Sequence, residues 1–489
     1  MMYSNILSAL KSNKIIWGIA TSAITGYMVS KLILWNPFYA LIVIIILSFI
    51  CISLLLSKAG AKYMLFDRQL LLFLPLIFLY VTEIPKIGPL PLSPVFFFMG
   101  IYLLFSVANV ADVFRDLILP HGKIFLLLVL CWFYQYLVSI IFADGSLLDM
   151  QIIEISGIFL GLRFFVKKSV ERAVWATRIL GGILIISMAW FVWEVSLGEP
   201  SSVRLLIYNS IFQNKEYSYS VTNPNGLSSL LFLFGYQIAV SVPLTLMLIF
   251  VEKRKRWKIF WVIGSVLSIF SMMYAGERSV LLAVVVVLVF FLCSRKRFRM
   301  ATLIIFIAVI LLLISLRVDI RQPTFERLQE SEKRIEATER VKLQFGGLKV
   351  ALNNPLGLSV AGKRWGDEAR LAGADFGAWS GAEIAVHNGY LGRIIPYGWI
   401  LGILMGLVLY RLLQAIRLIF SLLKTNIKGI QYALVVAFAL ISVLIQALFH
   451  NSSIFSFNAT SVTIALLFLT WIDVLSSNNP EILRADRKR

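Results

Sequence analysis

Apolar runs of bilayer length constrain this chain more than any other feature. Residues 41–56 and 280–292 continue with no charged side chain, at or near the length a helix needs to cross about 30 Å of hydrocarbon. With 59% hydrophobic and 15% charged residues over 489 positions and a mean hydropathy of +0.85, the chain holds more apolar surface than one water-facing core can bury. It reads as an integral membrane protein, which excludes cytosolic and secreted globular classes.

Asking where about 20 apolar residues fit between charged or Pro/Gly breaks predicts an all-α, polytopic bundle of about fourteen transmembrane helices. They fall near 15–35, 38–57, 69–82, 92–109, 123–143, 147–166, 173–195, 225–251, 257–275, 279–294, 299–316, 392–413, 430–449 and 454–475. Lys11 and Lys14 precede the first run as in a secretory signal, but no small-residue cleavage site closes it, so a retained first helix is expected. Cys51, Cys131 and Cys293 each lie inside an apolar run; three isolated thiols give neither a disulfide framework nor metal-ligand spacing, and packing is their expected role.

The formal net charge of +20 would suit nucleic acid, but the cations sit between the apolar runs. Lys58, Lys62 and Arg68 follow the second run, Lys167, Lys168 and Arg172 the sixth, and Lys253 to Arg256 the eighth. Arg295, Lys296, Arg297 and Arg299 follow the tenth, Arg417, Lys424 and Lys428 the twelfth, and Arg487 to Arg489 end the tail. Counted through alternating spans, every cluster lands on one side, which the positive-inside rule makes cytoplasmic. Both termini are then cytoplasmic, and the charge serves topology and anionic headgroups, with no nucleic-acid partner.

The opposite face receives one long segment, 317–391, with ten acidic and eleven basic residues. Segments of that length translocate largely regardless of charge, so it reads as an external subdomain. Phe325, Leu328, Ile335, Val341, Phe345 and Leu348 keep a roughly helical rhythm until Asn353, Asn354 and Pro355 stop it; the Gly- and Ala-rich remainder reads as irregular loop. The expected division is 1–224 (first helices and first external loop), 225–316 (central helices), 317–391 (external subdomain) and 392–489 (last helices and cytoplasmic tail).

Three constellations on that external face carry chemistry. Asn223 and Pro224, before Asn225 and Gly226, suit an N-cap and first helical position; besides starting a helix, the exposed amides would form an anion spot. Gly276, Glu277, Arg278 and Ser279 are wedged between two spans. Arg278 could simply snorkel to headgroups, or its planar donor fork could clamp a polyprenyl diphosphate. His387, Asn388, Gly389, Tyr390 and Leu391 precede span twelve, with Gly398 and Gly402 trailing. A lone loop histidine is ordinarily a polar surface residue, yet this is one of three, and a neutral imidazole can take a proton from a hydroxyl nucleophile. His450, at a helix end beside Asn451 and Ser452, is secondary; His121 faces the cytoplasm.

Taken in order, Asn223-Pro224-Asn225, Gly276 to Ser279, a stretch from Arg340 to Asn354-Pro355-Leu356-Gly357, and His387 to Leu391 resemble the O-antigen ligase and polymerase superfamily of bacterial membrane glycosyltransferases. The resemblance covers roughly residues 220–470, and Glu277 departs from it by placing an anion beside Arg278. It implies glycosyl transfer on the external (periplasmic) face of the cytoplasmic membrane, from an undecaprenyl diphosphate-linked glycan donor to a glycan acceptor, with no metal or cofactor. By the same resemblance His387 is the base, Arg278 and Arg340 hold the diphosphate, and Asn223, Asn225, Asn388 and Tyr390 line the substrate. A polymerase joining lipid-linked repeat units, with room for a chain-length regulator protein as partner, is preferred for its many spans and long external segment. An O-antigen ligase acting on lipid A-core is the alternative. A lipid-linked oligosaccharide flippase is the non-enzymatic competitor; for it, Glu154, Arg178 and Glu194 are the few charges in or near spans.

Overall fold

Inside hydrocarbon every backbone donor and acceptor must find a partner within the protein, so long apolar segments become helices. A computed structural model of the chain describes residues 120–142, 150–197, 226–227, 231–275, 278–294, 336–373, 386–423, 427–456 and 458–479, together with Leu74, Ile77, Phe78, Tyr80 and Val81. Every regular element among them is helical. The spans expected near 15–35, 38–57, 92–109 and 299–316 lie outside the described residues, as does most of the one at 69–82. The chain divides into two compact units, Met1–Pro75 and Leu76–Arg489, and the architecture below belongs to the second.

Twelve helices are described: α1 (Pro120–Phe142), α2 (Met150–Val166), α3 (Val170–Leu197), α4 (Leu231–Val251), α5 (Lys255–Tyr274), α6 (Arg278–Ser294), α7 (Glu336–Asn353), α8 (Leu358–Ala361), α9 (Trp365–Leu371), α10 (Leu391–Leu422), α11 (Ile430–Gln446) and α12 (Ala459–Asn478). Six of them, α1, α3, α4, α5, α10 and α12, contain stretches long and apolar enough to cross a membrane; α6 and α11 contain shorter apolar stretches.

Helices α4, α11 and α12 are buried nearly all round, and α4 packs against α3, α5, α6, α11 and α12. Small residues permit the close approach that membrane helix packing favours. A Cβ on Gly264 would stand 2.3 Å from Ile185, and Ser241 and Ser268 share a 2.6 Å hydrogen bond between α4 and α5. At the periphery the pattern inverts. Helix α10 exposes Ile400, Ile403, Leu407, Tyr410 and Leu413, and α1 exposes Leu126, Leu130, Phe133, Leu137 and Ile141. These three- and four-residue steps form continuous apolar stripes on the outside of the bundle, the faces a bilayer would cover.

The two ends of this bundle differ. At one end α3 begins, α4 ends and α5 begins; Asn478, at the close of α12, donates to the Lys168 carbonyl (3.0 Å), and Gly429 lies against Val170. This basic end gathers Lys167, Lys168, Arg172, Lys253 to Arg256 and Lys428, in keeping with the one-sided charge pattern. Two buried ion pairs sit toward it. Arg163 on α2 bonds Asp473 on α12, and Arg178 on α3 grips Glu252 with two 2.7 Å bonds between the rings of Trp175 and Trp257.

Three expectations need correction. Gly226 has φ +59, left-handed backbone that a right-handed helix does not contain, so no continuous helix runs from Pro224 into α4. The stretch after Asn354 is not simply loop: α8 and α9 form there, with a left-handed Gly362 capping α8 and Asp367 and Glu368 in the first turn of α9, where carboxylates favour the helix dipole. Helix α7 exists and stops at Asn353, but Phe345 and Leu348 face outward. Its buried stripe is Leu343, Gly347, Val350 and Ala351.

Candidate functional site

At the end opposite the basic one, the residues before α10 form a turn built by side-chain capping. Asn388 Oδ1 accepts from the backbone N–H groups of Tyr390 (3.1 Å) and Leu391 (2.9 Å), pairing donors that the start of α10 would otherwise leave unsatisfied. Tyr390 donates its hydroxyl to the Leu444 carbonyl (2.8 Å) and sets its ring edgewise on Phe455; burial pushes the phenol pKa up. The Gly389 N–H donates to the Ala447 carbonyl (2.7 Å), and its own carbonyl accepts from Ser453 Oγ (3.3 Å). A Cβ there would stand 2.3 Å from the Ser452 carbonyl oxygen and 3.2 Å from that of His450, so glycine is what lets the two backbones touch.

His387 stands at the open side of this turn, half-buried. Its carbonyl accepts from Gln344 Nε2 of α7 (3.2 Å), and its φ of +51 is left-handed. Away from the Lys167-Lys168 turn it is the only non-glycine residue with positive φ among the described residues. Strain of this kind costs roughly 1–3 kcal/mol and persists where the surroundings impose it. Here they do, because Val386 is buried against Gly347, Val350, Leu358 and Ile395 while Gly389 is fixed to the end of α11.

Opposite this turn lie residues 450–456, which include His450, the secondary candidate. His450 is buried with its ring edgewise on Tyr236 of α4, 5.2 Å between centroids, and Tyr236 donates its hydroxyl to the Ser452 carbonyl. Trp132 and Gln135 of α1 donate to the carbonyls of Ile454 and Phe455, each at 3.2 Å. Two histidine-bearing segments are thus laid side by side. The available signal was the polar run His450 to Ser453 between two spans.

The Asn354 to Gly357 stretch holds α7 and α8 against α10, with α9 packed on α7. Helix α10 is broken at Gly398 (φ +80, ψ 179), two residues after Pro396, and the loop enters the break. A Cβ on Gly357 would meet the Pro396 oxygen at 2.4 Å, and one on Gly398 would meet the Leu356 carbonyl carbon at 2.5 Å. Trp399 donates its backbone N–H to Pro355 (2.8 Å) and its indole N–H to Ala351 (2.9 Å), while Tyr134 of α1 donates to the Tyr397 carbonyl (3.1 Å). Asn354 binds Glu368 Oε2 (3.3 Å), and Lys363 pairs with Glu368 (3.0 Å), holding its carboxyl pKa below the usual range.

The remaining predicted positions are placed by backbone alone. Arg278 opens α6, which packs on α4 and α11, and Arg340 lies one turn before Gln344 on the same face of α7. Their side chains, and all of Asn223, Asn225 and Glu277, lie outside the described residues. Helices α5 and α6 meet at the histidine end, so Arg278, Arg340, His387, Asn388 and Tyr390 belong to one end of the bundle. Asn388 and Tyr390 build the turn; His387 is presented by it. Among the described residues no group of three or more His, Cys, Asp or Glu gathers as a metal site. Residues 263–406, from within α5 through α6 to α9 and the His387 turn into α10, match the family model of O-antigen ligase. No curated protein matches the chain.

Proposed function

On the premise of an O-antigen ligase family domain at residues 263–406, we propose that this membrane protein transfers a glycan from an undecaprenyl diphosphate carrier to a sugar hydroxyl on the outer face of the cytoplasmic membrane. His387 takes the acceptor hydroxyl proton, the freed oxygen attacks the anomeric carbon, and the bond from that carbon to the diphosphate oxygen breaks. Arg278 and Arg340 neutralise the departing diphosphate. The carrying observation is the strained, half-buried His387, held on α7 through Gln344 and on α11 through Gly389. A rigid backbone around an accessible imidazole is what positioning a general base requires.

The polymerase reading, in which the acceptor is a second lipid-linked repeat unit, is supported by the number of apolar runs and by the long 317–391 segment. A ligase would use the same chemistry on lipid A-core. The transporter reading loses support because Arg178 is bound in the pair with Glu252, and Glu194 is buried and accepts from Trp190 (3.2 Å).

Complementation of a deletion strain with His387→Ala tests the proposal, read by glycan ladder and immunoblot. Loss of about 10²- to 10⁴-fold in product at normal protein abundance is expected; a normal ladder would remove the base role. In the deletion strain, single repeats on core identify a polymerase and unattached long chains a ligase.

A further inference from the structure

The buried Arg163 and the partly buried Arg178 each have a carboxylate between helices: Asp473 and Glu252. Arg393 does not. It lies in the first turn of α10, where its backbone N–H donates to the Tyr390 carbonyl (3.0 Å), and its side chain is half-buried. Tyr397 lies one turn on, its hydroxyl close enough to interact with the guanidinium, and that hydroxyl shares a 3.2 Å hydrogen bond with Ser139 near the end of α1. No carboxylate pairs with Arg393 among the described residues. With no carboxylate beside it among the described residues, a partly desolvated cation is costly in a membrane bundle, and the neutral Tyr397 hydroxyl does not offset its charge.

We propose that Arg393, steadied by Tyr397 and Ser139, binds a phosphate group of a membrane amphiphile at the histidine end of the bundle. The planar guanidinium fork suits phosphate oxygens, and phosphates lie at the depth where a first-turn residue of a spanning helix emerges. Two amphiphiles present this chemistry, a prenyl diphosphate and an anionic phospholipid. The first deepens the glycosyl-transfer reading and rests on it, because it sets a cation within two turns of His387; the second does not depend on that reading.

Full-length protein in nanodiscs of phosphatidylcholine, with or without phosphatidylglycerol, is titrated with undecaprenyl diphosphate, and retained lipid is followed by native mass spectrometry. Arg393→Gln should weaken undecaprenyl diphosphate binding about 10- to 100-fold, Arg393→Lys less, and Tyr397→Phe a few-fold. Arg411→Gln, on the exposed far half of α10, should change nothing. Unchanged diphosphate binding with lost phosphatidylglycerol retention would support the phosphate site with the headgroup as its occupant. If Arg393→Gln and Arg393→Lys alter neither ligand while remaining monodisperse, the assignment is overturned. Should wild-type protein fail to bind undecaprenyl diphosphate, the glycosyl-transfer reading falls, and the phosphatidylglycerol arm alone decides for or against Arg393.

Discussion

Gly398→Ala should loosen the fastening of α7 and α8 to α10. The native φ of +80 with ψ of 179 belongs to a region essentially restricted to glycine, and forcing a side chain there costs about 1–3 kcal/mol. The new methyl would also stand 2.5 Å from the Leu356 carbonyl carbon, 2.6 Å from its oxygen and 2.7 Å from the Pro355 oxygen. All three are backbone atoms and cannot swing aside, so overpacking adds about 1–3 kcal/mol. The total is about 2–6 kcal/mol, part of it relieved if the Trp399 N–H lets go of Pro355. Thermal unfolding of the full-length protein in detergent, followed by size-exclusion fluorescence, should show an apparent midpoint lower by about 2–6 °C. Gly406→Ala is the internal control: it lies in the same helix with nothing within 4 Å of its Cβ position and should be neutral or gain up to about 1 kcal/mol. Gly357→Ala should imitate Gly398→Ala, and the double variant should fall short of the sum because both break one contact. Equal midpoints for Gly398→Ala and Gly406→Ala would refute the crossing as a fastening.

Glu252→Ala should destabilise the protein by about 3–5 kcal/mol by stranding the buried Arg178, whereas a joint Arg178→Met, Glu252→Leu variant should recover most of the loss in the same melt. Arg278→Lys should lower polymer yield about a hundredfold despite conserved charge, since removing a fork donor from a transition state costs about 3 kcal/mol; full activity would reduce Arg278 to a headgroup anchor. The Glu368 carboxyl pKa is depressed, so its bonds to Lys363 and Asn354 hold above the ordinary carboxylate value of 4.5 and are lost as pH falls through the lower folded value. Protection factors in α9, corrected for the intrinsic pH dependence of exchange, should therefore fall below about pH 4.5 in the native protein and lose this dependence in Glu368→Gln.

Membrane helices were readable because apolar length is a local property of the chain. The runs near 123–143, 147–166, 173–195, 257–275, 279–294, 430–449 and 454–475 each overlap a described helix, and the stop at Asn353 to Pro355 ends α7. What escaped was set by distant partners. Apolarity fades near 413, the expected end of span twelve, but α10 continues to Leu422 with Arg411 bonding Gln414 on its outer face. The break at Gly398 depends on a loop forty residues earlier pressing into it, which periodicity does not register. The rhythm of α7 found the helix and chose the wrong face, because a glycine-sized gap at Gly347, and not a large apolar residue, receives Leu391 and Ile395 of α10. At the site, His387 was visible as a rare residue in a recognisable motif. The use of Asn388 as a cap and Tyr390 as an anchor to Leu444 was not.

The turn presenting His387 is closed by groups that come later in the chain: the carbonyls of Leu444 and Ala447, and the hydroxyl of Ser453. During synthesis, the histidine therefore leaves the ribosome before the partners that shape it exist. Its geometry can be completed only after α11 has been inserted and the chain has turned back toward α12. A nascent or truncated chain ending before that point would carry the full motif without the contacts that shape it, so the turn is completed only by the α11–α12 hairpin.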